Sequence, residues 1–179
     1  MNAQINLRAL GSSFLSTHHR CFAAALGGPF THIATVPSTR GRRGQHPLYT
    51  ILAGGVRLPH VLATANDRYP ADDRQFHPDR FAVDSHSLDG VPRVLVIDDT
   101  WTTGARVQSL AFALKAAGAV KVGAVVLGRH VNPADGVRYE HYRLFNERLR
   151  KAPEFDESRC SMGDAGGEGL AGGGLVVED

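Results

Sequence analysis

The chain has little of the material that builds disulfide-rich, membrane-spanning or strongly charged proteins. Only two of its 179 residues are cysteines, Cys21 and Cys160, too few for a disulfide framework, so a reducing cytoplasm is the expected compartment. No apolar run approaches the roughly 20 residues that cross a bilayer, and the N-terminal stretch has no apolar signal-peptide core. The formal net charge of +2 is too small to indicate bulk electrostatic binding of nucleic acid or a membrane surface.

What is present is the composition of an ordinary globular domain. The apolar share is 42% and the charged share 21%, which is enough for a single core. We therefore expect one domain over residues 1–160. Residues 161–179 are rich in glycine and poor in large apolar side chains, so this tail is predicted to be disordered.

Helical and strand-like patterns alternate along the chain, which predicts an α/β fold with a mostly parallel sheet flanked by helices. Helices are expected at 12–26, within 46–55 before Gly54-Gly55, and at 105–117, and residues 136–150 are expected to be mixed or helical. Strands are expected at 32–37, 58–65, 81–84, 91–97 and 120–128. The polar stretch 66–80 contains two prolines and is predicted to be a long loop, either a plain surface connection or a lid that brings Arg68 or Arg74 to a ligand.

Two adjacent carboxylates follow the central predicted strand, in "RVLVIDDTWTTGARV" (93–107). Ligands of open parallel sheets bind beyond the carboxyl ends of the strands, which is where Asp98 and Asp99 are expected. Like charges placed side by side repel unless something binds them. Sugar hydroxyls, or a divalent cation with its waters, would offset that repulsion.

The residues after the acidic pair have the features of an anion site. Thr102, Thr103, Gly104 and Ala105 form the predicted turn into a helix, where backbone N–H groups, threonine hydroxyls and the helix dipole favour an anion. Gly104 allows close approach of the backbone and unusual dihedral angles. Carboxylates and a phosphate cradle about one ribose apart describe a pocket for a ribose 5-phosphate.

This pattern resembles the phosphoribosyl-pyrophosphate (PRPP) binding motif of the type I phosphoribosyltransferases: four apolar residues, two acidic residues, two variable positions and Thr-Thr-Gly. A second stretch, "ATVPSTRGRRGQHP" (34–47), resembles the pyrophosphate loop of the ComF-like branch, which we group with amidophosphoribosyltransferase-like proteins. The resemblance as a whole spans roughly residues 30–130. The resemblance implies a type I phosphoribosyltransferase fold.

The resemblance also implies roles for individual residues. Asp98 and Asp99 would be the catalytic pair that holds the ribose 2- and 3-hydroxyls. They would also hold Mg²⁺, the implied cofactor, through water or ribose hydroxyls. The 5-phosphate would be bound by Thr102, Thr103, Gly104 and Ala105. The pyrophosphate would be contacted by Ser38, Thr39 and Arg40, with Arg42 and Arg43 as further phosphate partners.

The sequence departs from the family pattern at three places. Arg106 stands where the family usually has Thr or Ser, and its guanidinium could pair with the phosphate or point into solvent. Trp101 is bulkier than expected, and core packing is favoured over stacking on a base. The cysteine-rich zinc module typical of ComF-like proteins is not found, so either this branch lacks it or the sequence begins after it.

The expected function is a Mg²⁺-dependent pentosyltransferase that moves ribose 5-phosphate from PRPP to an unidentified nucleobase or amine and releases pyrophosphate. The acceptor would be read by 12–26, 127–133 or the C-terminal part. The alternative is a catalytically silent nucleotide sensor or a ComF-like accessory to DNA uptake, the one case in which nucleic acid would be a partner. A homodimer is compatible with both, and an acceptor pocket would favour the enzyme.

Overall fold

The computed structural model describes residues 3–38, 46–52, 56–130 and 140–151. The helices are α1 (Ala3–Ala25), α2 (Pro47–Ile51), α3 (Ala105–Ala116) and α4 (Glu140–Lys151), with a short 3₁₀ helix at Ser85–Ser87. The strands are β1 (His32–Thr35), β2 (Ala63–Ala65), β3 (Phe81–Val83), β4 (Arg93–Trp101) and β5 (Lys121–Arg129). Among these described residues, no helix is both long enough and apolar enough to cross a membrane. The predicted tail, 161–179, lies outside the described residues.

Three parallel strands form the main sheet in the order β1-β4-β5, and β2 pairs with β3 as a separate antiparallel ribbon. The register of β1 on β4 runs from His32 opposite Val94 to Thr35 opposite Ile97. The pairing of β4 with β5 continues further, to Trp101 opposite Arg129. The predicted α/β architecture, a mostly parallel sheet flanked by helices, is confirmed.

Strand β4 is the centre of the fold because its apolar residues are buried on both faces of the sheet. Val94 and Val96 pack into the cluster that contains the buried face of α3. Leu95 and Ile97 pack on the opposite side with Phe22 of α1 and residues of α2. Each such side chain contributes about 1.5–3 kcal/mol on burial, and a shift of one residue would exchange the two faces. The register therefore fixes where the residues after Ile97 emerge.

Helix α3 packs against β4 and β5 through the face that the sequence predicts. Val107, Leu110, Ala111 and Leu114 are all buried. The helix ends before Gly118, which adopts φ +115° and donates its N–H to the Lys115 carbonyl at 3.0 Å. Because the face of α3 is fixed on the sheet, its first turn is held at the carboxyl end of β4.

Several predicted boundaries were wrong. Helix α1 begins at Ala3 rather than residue 12, since residues 3–11 include good helix formers and no proline. Helix α2 ends at Ile51, with Leu52 as its C-cap, and residues 53–55 of the predicted segment lie outside the described residues. Strand β4 extends four residues past Ile97 because β5 continues to pair with it.

The predicted strand at 58–65 is two separate pairings. The Ile33 N–H donates to the Pro59 carbonyl at 2.9 Å, and the Val61 N–H donates to the Ile33 carbonyl at 2.8 Å. This short piece therefore runs parallel to β1 at its outer edge. Past Leu62, which is exposed, the chain pairs instead with β3 as β2. The 66–80 loop connects β2 to β3 and contains turns, as predicted.

Candidate ligand-binding site

A cleft of about 650 Å³ lies across the carboxyl end of β4, within the range of roughly 300–1,000 Å³ that is usual for small-molecule sites. The acidic pair (Asp98 and Asp99), the threonine turn (Thr102–Arg106) and Ser38 all line it. The structure therefore brings these predicted site residues together. The other predicted pyrophosphate contacts, Thr39 and Arg40, lie outside the described residues, as do Arg42 and Arg43.

The two carboxylates of the acidic pair have different environments. Successive residues of a strand face opposite sides, so Asp98 is only 9% exposed whereas Asp99 is exposed. Asp98 Oδ1 accepts a hydrogen bond from the Asp99 backbone N–H at 3.0 Å. This arrangement leaves one carboxylate on the cleft surface and one at its floor.

Burial raises the pKa of Asp98 from 3.8 to about 7, and repulsion by the Asp99 carboxylate adds to the increase. The Asp99 N–H and the Arg106 guanidinium act in the opposite direction but do not cancel it. Near neutral pH the free protein therefore holds a proton on Asp98 in a large fraction of molecules. A ligand that brings positive charge or hydroxyl donors would favour the ionised form.

The threonine turn depends on contact between Gly104 and Trp101. Gly104 caps α3 in the left-handed region, at φ +79°, which glycine adopts most easily. A Cβ at this position would lie 2.1 Å from Cζ2 of Trp101. Trp101 is partly buried and packs against the cluster that includes α3, so the predicted packing role of this indole is confirmed.

Gly104→Ala is expected to lower the free energy of unfolding by about 2–4 kcal/mol, because it adds a left-handed alanine and displaces the indole. Gly90→Ala is the matched control: it has φ +65° and nothing within 4 Å of the added Cβ. Chemical denaturation should show a loss of only about 1–2 kcal/mol for that control. Equal losses in the two variants would show that Trp101 does not constrain the turn.

Three hydrogen bonds hold the 66–80 loop over the threonine turn. The Arg74 guanidinium donates to Thr102 Oγ1 at 2.8 Å, and Thr103 Oγ1 donates to the Arg74 carbonyl at 3.0 Å. The Arg106 guanidinium donates to the Ala71 carbonyl. Of the two arginines predicted to reach the site, Arg74 does so. The other, Arg68, is exposed and pairs with Asp79 at 3.2 Å.

Arg106 was expected to meet a phosphate or to point into solvent. The second alternative is wrong because the 66–80 loop crosses the start of α3 and places the Ala71 carbonyl beside the guanidinium. A phosphate contact by Arg106 stays a prediction. The side chain lines the cleft, so an incoming anion can reach it.

The lining of the cleft also includes apolar side chains. Its walls include Leu7 of α1, Leu48 and Ile51 of α2, and Leu127 of β5. His46 and His130 also line the cleft, and an imidazole can donate or accept a hydrogen bond.

Only some of these lining residues were predicted from the sequence. The predicted acceptor segment 127–133 supplies Leu127 and His130, and its residues 131–133 lie outside the described part of the chain. Leu7 was missed because helix α1 was expected to begin at residue 12. His46 was also missed; it is the N-cap of α2, where the Leu48 N–H donates to its Nδ1 at 3.3 Å.

The chain is similar to known proteins in structure but not in sequence. No family model matches the chain, and no curated protein matches it in sequence. An adenine phosphoribosyltransferase from Leishmania donovani is similar in structure, with a TM-score of 0.48 and 19% sequence identity. The match covers 86% of this chain and 59% of that one, so the chain spans less than two thirds of the length of that structure. At this identity and TM-score the likeness assigns neither a family nor an activity.

Proposed function

We propose that the protein is a phosphoribosyltransferase of the type I fold, which transfers ribose 5-phosphate from PRPP to a nitrogen acceptor. The observation that supports this most directly is the shared cleft of the acidic pair and the threonine turn. The carboxylates of the acidic pair can accept hydrogen bonds from ribose hydroxyls, and the threonine turn offers N–H and hydroxyl donors to the 5-phosphate. Strand β4 and helix α3 hold both sets on rigid elements.

The proposed reaction forms a bond between the acceptor nitrogen and C1 of the ribose while the bond from C1 to the pyrophosphate oxygen breaks. Pyrophosphate leaves with the bonding electrons, and the acceptor proton passes to solvent. Positive charge develops on the ribose ring as the bonds exchange. The ionised acidic pair stabilises that charge, and the threonine turn holds the sugar in the reacting orientation.

The acidic pair also fits the Mg²⁺ that the resemblance implies. Mg²⁺ in phosphate-transfer sites is usually held by one or two carboxylates, with water and ligand oxygens completing its shell. The exposed carboxylate of Asp99 and the partly paired carboxylate of Asp98 fit that donor set. When bound, the ion would neutralise charge on the departing pyrophosphate. Residues 98 and 99 would hold it through water or ribose hydroxyls.

The apolar residues in the cleft lining support a transferase over a silent sensor or a DNA-uptake accessory. Leu7, Ile51 and Leu127 give an acceptor a non-polar surface, and His46 and His130 give it hydrogen-bond partners. Such walls suit a flat heteroaromatic ring better than a small amine, so a nucleobase is the proposed acceptor class. The proposed pyrophosphate role of the 34–47 stretch is supported by Ser38, the one such contact within the described residues, which lines this cleft.

A screen of nucleobases for pyrophosphate release, with PRPP and Mg²⁺, tests this function. At least one base should give release that disappears in the Asp98→Asn/Asp99→Asn variant. Asp67→Asn, an exposed aspartate that does not line the cleft, is the matched control and should retain activity. PRPP binding without release for any base or amine would indicate the sensor instead.

Arg106→Ala is expected to weaken binding of both ribose 5-phosphate and PRPP by roughly tenfold, the effect of losing one charged hydrogen bond. Arg106→Thr should restore part of the loss, because it returns the hydroxyl that the family usually carries at this position. Titration at two salt concentrations measures the effect. The exposed Arg57, which does not line the cleft, provides the control Arg57→Ala. If Arg106→Ala binds as tightly as wild type, the 5-phosphate is held by backbone N–H groups and threonine hydroxyls without Arg106.

A further inference from the structure

Arg80, at the end of the 66–80 loop, is fully buried although it carries a charge. Its guanidinium donates to three backbone carbonyls of the loop: Pro70 at 3.2 Å, Asp73 at 3.1 Å and Gln75 at 3.3 Å. The Asp73 carboxylate lies 3.8 Å away and supplies the opposite charge. Burying an arginine is costly unless it is paired in this way. The loop segment 70–75 is therefore wrapped around one guanidinium.

The Asp73 side chain makes further hydrogen bonds within the same loop. It accepts hydrogen bonds from the Gln75 N–H at 2.7 Å and from His77 Nε2 at 2.6 Å. The His77 backbone N–H in turn donates to Ser109 Oγ of α3 at 3.0 Å, and the Tyr69 ring stacks on the His77 imidazole at 4.0 Å. These contacts attach the wrapped segment to the helix that begins at the threonine turn.

Arg74 lies in the sequence between Asp73 and Gln75, and the Arg80 guanidinium donates to the carbonyls of both. Its own carbonyl accepts from Thr103, and its exposed guanidinium reaches Thr102. The backbone on both sides of Arg74 is thus fixed by Arg80, while the side chain is available at the cleft. An arginine that is already held in position binds a phosphate with a smaller loss of side-chain and loop entropy.

We infer that Arg80 is a positioning residue that holds segment 70–75 so that Arg74 is presented to a phosphate bound at the threonine turn. The inference rests on the proposed function, since it takes that turn as a phosphate site. Arg80 itself is buried beneath the segment and acts through Arg74. Its effect on ligand binding should therefore depend on Arg74 being present.

A double-mutant cycle with ribose 5-phosphate as the calorimetric probe tests this dependence. Arg74→Ala and Arg80→Met should each weaken binding by roughly tenfold, and the double variant should bind no more weakly than Arg74→Ala alone. Arg80→Lys, which keeps the charge and some donors, should restore part of the affinity. A purely structural arginine would lower the melting temperature but leave binding by the folded protein unchanged, or would give losses that multiply to about 100-fold. Either result overturns the inference.

A replacement variant and a hydrogen-exchange measurement complete the test. If Arg80→Met gives no cooperative melting transition, Arg80→Lys takes its place in the cycle with Arg74→Ala. Hydrogen exchange on the unmodified free protein should show protected amides at Gln75 and His77, and rapid exchange at both would overturn a preformed segment. Wild-type protein that binds neither ribose 5-phosphate nor PRPP would overturn the proposed function and this inference together. Binding with multiplying losses would overturn the inference alone.

Discussion

Asp98→Asn is expected to stabilise the free protein at pH 8 by up to about 4 kcal/mol, since burial, with the Asp99 charge, raises the pKa of Asp98 from 3.8 to about 7. The folded state keeps a proton on Asp98 between those two values after the unfolded chain has lost it. The contribution of Asp98 to stability therefore falls as pH rises through this window and levels off above pH 7. Asparagine does not titrate, and its side-chain oxygen can still accept from the Asp99 N–H.

Urea denaturation of wild type and Asp98→Asn at several pH values measures this effect. The free energies of unfolding should agree at pH 4 and separate progressively up to pH 7. Asp67→Asn, whose carboxylate is exposed, should follow wild type throughout. If Asp98→Asn is no more stable than wild type at pH 8, ionisation of the buried Asp98 carboxylate does not destabilise the fold.

The Asp98→Asn/Asp99→Asn variant is expected to lose PRPP affinity by roughly 10²–10⁴-fold, because each charged hydrogen bond contributes about 1.5–3 kcal/mol. Replacing both carboxylates relieves repulsion in the free protein, but it also removes the hydrogen-bond acceptors for the ribose hydroxyls and the proposed carboxylate ligands of Mg²⁺. Stability and binding should thus move in opposite directions.

Calorimetric titration at pH 8 measures the binding loss, with Asp67→Asn as the control that should bind as wild type does. Circular dichroism should show that the double variant remains folded. A folded double variant that binds PRPP as tightly as wild type would make the acidic pair a structural feature only.

The elements around the site could be predicted because their signals are local. An apolar run long enough for a strand buried on both faces, followed by two acids and a glycine-containing turn, placed β4 and the start of α3. Helical spacing identified the buried face of α3 from Val107 to Leu114. Since parallel strands bind ligands at their carboxyl ends, those local signals were enough to place the acidic pair beside the threonine turn.

The contacts that complete the site could not be read from the sequence because they join distant segments. Nothing in "PDR" (78–80) distinguishes Arg80, which is buried, from the exposed Arg68 and Arg74 of the same loop. The reach of Arg74 to Thr102 spans 28 positions. The contact of Trp101 with Gly104 depends on the backbone of the turn. The contribution of Leu7 depends on a helix that begins nine residues earlier than predicted.

Titration of the unmodified protein with PRPP in the presence of Mg²⁺ tests the central claim most directly. The account predicts saturable binding at one site per chain. It also predicts a higher melting temperature, corresponding to roughly 2.7 kcal/mol at 100 times the dissociation constant. Ribose 5-phosphate should compete for the same site. No heat of binding and no melting shift at millimolar PRPP, with Mg²⁺ present, would contradict the account.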